Sequence, residues 1–136
     1  FRKEGIKIIN STYFNQDLLL KKGNYTKIKP DALSKKDILK GKSIIQDLTR
    51  HDIGQGVVVQ KGYVISIEGS EGTDAMLNRA GVLLKSFSYG SNRYGILLKF
   101  PKKNQDLRVD LPTVGIQTIK KCSKNSKKSA SEISNL

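Results

Sequence analysis

Val57–Val58–Val59–Gln60–Lys61–Gly62–Tyr63–Val64–Ile65–Ser66–Ile67 decides the fold of this chain. Two runs rich in β-branched residues, Val57–Val59 and Tyr63–Ile67, meet at Lys61–Gly62, where glycine can take the positive φ that a tight turn needs. The stretch is a β-hairpin. Downstream, Thr73 is placed to cap a helix running through Ala75, Met76, Leu77 and Ala80, with Gly81 as its C-terminal stop. Met76 and Leu77 belong to the core of such a helix. Upstream, Ser34 followed by Asp37 resembles an N-cap with an acidic first turn, and Ile38, Ile45 and Leu48 recur near helical spacing. That predicts an amphipathic helix over 35–49, weakened at Gly41 by about 1 kcal/mol relative to alanine. Residues 86–93 read as a loop, and Tyr94–Phe100 reads as a buried strand stopped by Pro101. The expectation is an α/β fold: a small mixed sheet that contains the hairpin, flanked by helices.

The outer segments are less patterned. Ile6–Ile9 reads as a short strand, and Leu18–Leu20 closes a short helix before a turn at Gly23–Asn24. Residues 23–30 are polar and suit a linker. From Ser123 the chain is Ser, Lys and Asn with little to bury, which predicts a disordered tail over 123–136. No internal repeat is present. At 136 residues one modest core is expected. The chain opens on Phe1 and its single methionine is Met76, so it is read as a piece of a longer protein. No run of about 18 apolar residues exists to span a membrane, and no signal-peptide pattern is visible. The single Cys122 excludes an internal disulfide and fits a reducing compartment. Neighbouring lysines could lower its pKa, but a bystander thiol is the plainer reading.

The net charge of +13 raises the question of a polyanionic partner. Residues 1–50 hold 12 basic and 5 acidic side chains, residues 51–119 hold 8 and 6, and residues 120–136 hold 5 and 1. The excess therefore lies in the flanks, while the glycine-rich centre is nearly balanced. There is no tryptophan, and no aromatic sits within a basic cluster to stack on bases. Nonspecific charge explains the lysines better than readout of a nucleic-acid sequence does.

The chemistry concentrates in three acidic, glycine-containing segments. In Gln105–Asp106–Leu107–Arg108–Val109–Asp110–Leu111–Pro112–Thr113–Val114–Gly115, alternation along an extended strand puts Asp106, Arg108 and Asp110 on one face. Such a row can serve a divalent metal and a phosphate, or it can be a solvated strand face worth about 0–1 kcal/mol. The other two segments are Asp52–Ile53–Gly54–Gln55, entering the hairpin, and Glu71–Gly72–Thr73–Asp74, leaving it and opening a helix. Helix starts present unpaired N–H groups to phosphates, and carboxylates beside a phosphate make sense when magnesium bridges them. Lys99, Arg79 and Arg108 could neutralise the remaining negative charge. Metal and cations together favour hydrolysis at phosphorus, with a carboxylate taking the water's proton. Singly, each residue also has a plain reading: Asp74 as a helix-start acid, Asp52 as a turn cap, Lys99 as a snorkelling strand residue, and Gly54, Gly72 and Gly115 as turn residues. With His51 as the single histidine, a histidine zinc site or a Ser–His–Asp triad has little support. No Walker loop or dinucleotide fingerprint is present.

Taken together, Asp52–Gln55, Glu71–Met76, the strand bearing Lys99, and Gln105–Gly115 resemble the LpxI-type UDP-2,3-diacylglucosamine pyrophosphatases in order and spacing. Gly5–Ile9 and Leu18–Gly23 resemble the end of that family's first domain, and the likeness extends over roughly residues 1–122. It implies a remnant of an N-terminal nucleotide-binding domain and linker over 1–30 and an incomplete catalytic domain over 31–122, since the family continues with further strands and helices. It implies magnesium-dependent hydrolysis of UDP-2,3-diacylglucosamine to UMP and 2,3-diacylglucosamine 1-phosphate in lipid A biosynthesis of Gram-negative bacteria, with water attacking the sugar-side phosphorus. Carried onto this chain, the catalytic group is Asp106, Asp110, Arg108 and Lys99, and metal ligation falls to Asp52, Glu71, Asp74, Asp106 and Asp110. Substrate would be held by Gln55, Gly72, Thr73, Arg79 and Thr113.

A cytoplasmic protein is expected on this likeness. The lysine flanks could bring it against the anionic inner-membrane surface, and assembly into a homo-oligomer stays open. Two competing readings remain: a basic nucleic-acid-binding module without catalysis, and an inactive fragment.

Overall fold

β2 (Gly56–Gln60) is buried nearly throughout, and the rest of the chain is arranged around it. The computed structural model describes residues 2–7, 9–10, 12–14, 16–18, 21, 23–86, 95–101, 113–124 and 132–133. Short 3-10 turns at Arg2–Glu4 and Gln16–Leu18 precede β1 (Gly23–Asn24) and α1 (Ala32–Leu48). After a 3-10 turn at Thr49–His51 come β2, β3 (Tyr63–Ile67), α2 (Gly72–Ser86), β4 (Ile96–Lys99), α3 (Ile116–Lys124) and β5 (Glu132–Ile133).

The hairpin and the α/β class are as the sequence predicts. The three-stranded sheet has the order β3-β2-β4 with antiparallel pairing throughout, and β1 and β5 form a separate two-residue pairing. Val57, Val58 and Val59 lie opposite Leu98, Leu97 and Ile96 of β4. On the other side Val58 pairs with Ser66 and Val59 with Val64, so Ile65 is an extra residue that bulges β3.

An unbroken apolar run in a strand means both faces are covered, and here they are. Val57 and Val59 face α1 in one cluster with Ile45 and Leu98. Val58 faces α2 in the other, with Met76, Leu77, Ala80 and Leu84, and Cys122 of α3 packs against it. The sheet is the middle of three layers. Gly41 lies in the α1–sheet seam, where an added Cβ would run into Leu98. The glycine that weakens the isolated helix is what lets that helix approach the strand.

Several boundaries differ from the sequence expectation. Helix α1 starts at Ala32, and its cap is Asp31, whose Oδ1 accepts the Ser34 N–H at 2.9 Å. Aspartate caps as well as serine does, so the helix gains an extra turn by starting from Asp31. Thr73 lies inside α2 rather than capping it, and α2 runs through a buried Gly81 to Ser86, because packing against the sheet overrides the local helix-stop preference. Ile6 and Ile9 are not in a strand and stand 52% and 41% exposed. β4 begins at Ile96, with Tyr94 outside the described residues. Helix α3 follows Gly115, whose carbonyl accepts the Ile119 N–H at 3.2 Å. Within the lysine-rich C-terminal segment, Ser123 and Lys124 complete α3, and Glu132–Ile133 pairs with Gly23–Asn24.

Candidate functional site around the first turn of α2

The site grows from the end of β3. The Glu68 N–H donates to the Gly56 carbonyl at 2.9 Å and extends the hairpin ladder by one residue. Gly56 in turn lies opposite Lys99 of β4, so Glu68, Gly56 and Lys99 form one row across the sheet. Beyond Glu68 the chain turns sharply. Gly69 N–H donates to Glu71 Oε2 at 3.1 Å, Gly72 adopts φ +80°, and α2 begins there.

Arg79, two turns into α2, folds back over this corner. Its Nη2 donates to the Ile67 carbonyl at 2.9 Å and to the Glu71 carboxylate. The Arg79 guanidinium is the main reason the Glu71 carboxyl is held below its ordinary value. Glu71 and Arg79 therefore lock the loop between β3 and α2.

Asp74, in the first turn of α2, is reached by two other elements. Lys121 Nζ of α3 lies 2.8 Å from Asp74 Oδ2, and Thr118 Oγ1 lies 3.5 Å from Oδ1. The Lys121 hydrogen bond is the chief cause of a lowered Asp74 pKa, with Lys99 adding a more distant attraction. Lys99 Nζ itself donates to the Thr113 carbonyl at 3.1 Å, which ties β4 to the segment entering α3. Cys122 lies near enough that the Asp74 charge, together with burial, raises its thiol pKa. That favours the neutral thiol and agrees with a bystander role.

The sequence-predicted residues thus divide into three groups. Gly72, Thr73, Glu71, Asp74 and Arg79 share one corner, and Lys99 and Thr113 reach it from β4 and the approach to α3. Asp52 and Gln55 lie on the connection entering β2: Asp52 is exposed in a left-handed conformation at φ 56°, and Gln55 accepts the Phe100 N–H at 2.9 Å through its carbonyl. Asp106, Arg108 and Asp110 lie outside the described residues. Among the described residues, no three His, Cys, Asp or Glu side chains come together to hold a metal.

Sequence reasoning missed Glu68, Thr118 and Lys121. Glu68 is 6% exposed, its Oε1 accepts the Thr73 hydroxyl at 2.8 Å, and its Oε2 is buried without a partner. Its trace in the sequence is indirect: Gly56 makes room for its carboxylate, and Gly54 for the backbone at that position. An added Cβ at Gly56 would lie 2.5 Å from Glu68 Oε2, and one at Gly54 would strike the Glu68 carbonyl. Lys121 and Thr118 sit one turn apart on α3, a spacing legible once the helix is placed.

Over residues 21–131 the chain matches the family of the LpxI C-terminal domain. The chain belongs to the LpxI family. It is also 40% identical over 120 residues to UDP-2,3-diacylglucosamine pyrophosphatase LpxI of Caulobacter vibrioides, an alignment covering 88% of this chain and 43% of that protein. The chain thus spans less than half the length of that LpxI relative. The motifs at Asp52–Gln55, Glu71–Met76, Lys99 and Gln105–Gly115 all fall within the range matched to the LpxI domain. Among the described residues, no helix is long and apolar enough to cross a membrane.

Proposed function

We propose that this LpxI-family chain hydrolyses the diphosphate of UDP-2,3-diacylglucosamine to UMP and 2,3-diacylglucosamine 1-phosphate, a step of lipid A biosynthesis, with magnesium. The observation that supports it most is the corner at the first turn of α2, where Asp74, Lys121, Thr118 and Lys99 converge from three elements inside the LpxI match. A carboxylate flanked by two ammonium groups at a helix start is suited to a diphosphate and its counter-cation.

Among the described residues the corner offers one carboxylate, Asp74, with the Thr118 hydroxyl beside it and the Lys121 ammonium paired to it. On the family likeness Asp52, Glu71, Asp74, Asp106 and Asp110 would hold magnesium, a hard cation that takes oxygen ligands, and of these Glu71 is paired with Arg79 in this structure. Bound there, the ion would supply charge neutralisation at the diphosphate. Asp106 or Asp110 takes a proton from water as its oxygen bonds to the sugar-side phosphorus. The bond from that phosphorus to the bridging oxygen breaks, and UMP leaves with the bridging oxygen. On the family likeness Arg108, Lys99 and Arg79 would neutralise the phosphate oxygens, and Gln55, Gly72, Thr73 and Thr113 would provide hydrogen bonds.

The test is UMP release from UDP-2,3-diacylglucosamine by this chain with magnesium and with chelator, alongside the Caulobacter vibrioides relative as positive control. Release that requires magnesium and is lost in Asp106→Asn supports the reading. Near-normal turnover by Asp106→Asn removes the role given to that residue, and release by the relative but not by this chain removes the activity. The lysine flanks further support contact with an anionic inner-membrane surface. Co-sedimentation with anionic vesicles should then fall as salt rises.

A further inference from the structure

Glu68 is difficult to explain as a stabilising residue. Burying a carboxylate costs free energy unless its oxygens are satisfied. Here one oxygen takes the Thr73 hydroxyl and the other has no partner among the described residues. The seat is nonetheless built for it. Gly56 carries no side chain at the position where Oε2 lies, Gly54 lets the Glu68 carbonyl approach, and Met76 Cε closes the same space. A Gln or Met would fill the space at lower electrostatic cost. Gly56 thus leaves room for a carboxylate that the fold alone does not need, and the single bond this carboxylate makes is to the residue before Asp74.

We propose that Glu68 is a positioning residue: by holding the Thr73 hydroxyl from beneath the sheet end, it fixes the first turn of α2 and the direction in which Asp74 leaves it. Thr73 and Asp74 are consecutive, and Gly72, with φ +80°, gives the helix start no intrinsic preference for the observed angle. Glu71 and Arg79 lock the loop on one side of Gly72. The Glu68–Thr73 bond is the matching lock on the helix side. Its effect on turnover rests on the hydrolase reading above, while its effect on the helix start does not.

Two variants test this, Glu68→Met, which keeps volume without charge, and Thr73→Val, which removes the donor. Glu68→Met should melt at or above the temperature of the parent protein, and Thr73→Val, which strips the buried carboxylate of its last partner, should melt below it; in both, NMR order parameters of the Thr73 and Asp74 amides should fall while the rest of α2 keeps its values. In UMP release, Glu68→Met should lower kcat about tenfold to a hundredfold with KM within about twofold, and the double variant should be no worse than Thr73→Val alone. Unchanged order parameters at Thr73 and Asp74 would overturn the proposal whether or not the parent protein releases UMP. So would losses in kcat that multiply in the double variant, or a large drop in the melting temperature of Glu68→Met with unchanged kcat.

Discussion

Asp37 of α1 closes the hairpin turn at Gly62. Its Oδ1 accepts the Gly62 N–H at 2.7 Å, and its Oδ2 accepts the Lys61 N–H at 2.8 Å. Lys61 and Gly62 both have positive φ, 48° and 81°, so their N–H groups point away from the strands and would otherwise be left facing the helix. A buried carboxylate from α1 fills that concavity, and Lys40 Nζ holds the Gly62 carbonyl from the same helix. Helix α1 and the hairpin are therefore joined by polar bonds at one end and by Ile45, Val57, Val59 and Leu98 along their length.

Asp37→Ala should destabilise the protein by about 2–4 kcal/mol, because two charge-assisted bonds are lost and two N–H groups are left without acceptors. Asp37→Asn, which keeps one acceptor, should cost about half as much. Urea denaturation measures both.

Gly41→Ala should lower stability despite alanine's helix preference. The gain of up to about 1 kcal/mol in helix propensity is outweighed by about 1–3 kcal/mol of overpacking against Leu98, itself buried among β-sheet residues. A higher denaturation midpoint for this variant would show that the α1–sheet seam is looser than described.

Lys121→Met should destabilise the protein at neutral pH and cease to do so in acid. The folded pKa of Asp74 lies below its ordinary 3.8, so the contact contributes at pH above that value and is lost as pH falls through the lower folded value. Melting curves of parent and variant should converge below about pH 3.8 and stay apart at pH 7.

Cys122 should react with iodoacetamide more slowly at pH 7 than a free thiol, since burial and the Asp74 charge both favour its neutral form. Asp74→Asn should speed the reaction. An unchanged rate would contradict the described proximity of Asp74 and Cys122.

The layered fold was legible because its signals are local: three consecutive valines, a Lys–Gly turn and helical spacing of apolar residues. Helix ends were less legible because capping is a competition. Ser34 and Asp31 are both good capping residues, but the helix starts early enough for Asp31 to cap it by accepting the Ser34 N–H, and Thr73 loses the capping position to a start at Gly72. At the site, Glu71, Asp74 and Arg79 were signalled by acids and glycines at an element boundary. Glu68 and Lys121 were not, because one depends on burial and the other on α3 packing across α2. Both are properties of tertiary placement, which no spacing in the sequence reports.

The proposed reaction is attack of water on the sugar-side phosphorus of UDP-2,3-diacylglucosamine. Mass spectrometry of the products formed with magnesium in water enriched in heavy oxygen tests it most directly. The account predicts one heavy oxygen in 2,3-diacylglucosamine 1-phosphate and none in UMP. Label in UMP, or no UMP above a protein-free blank, would contradict it.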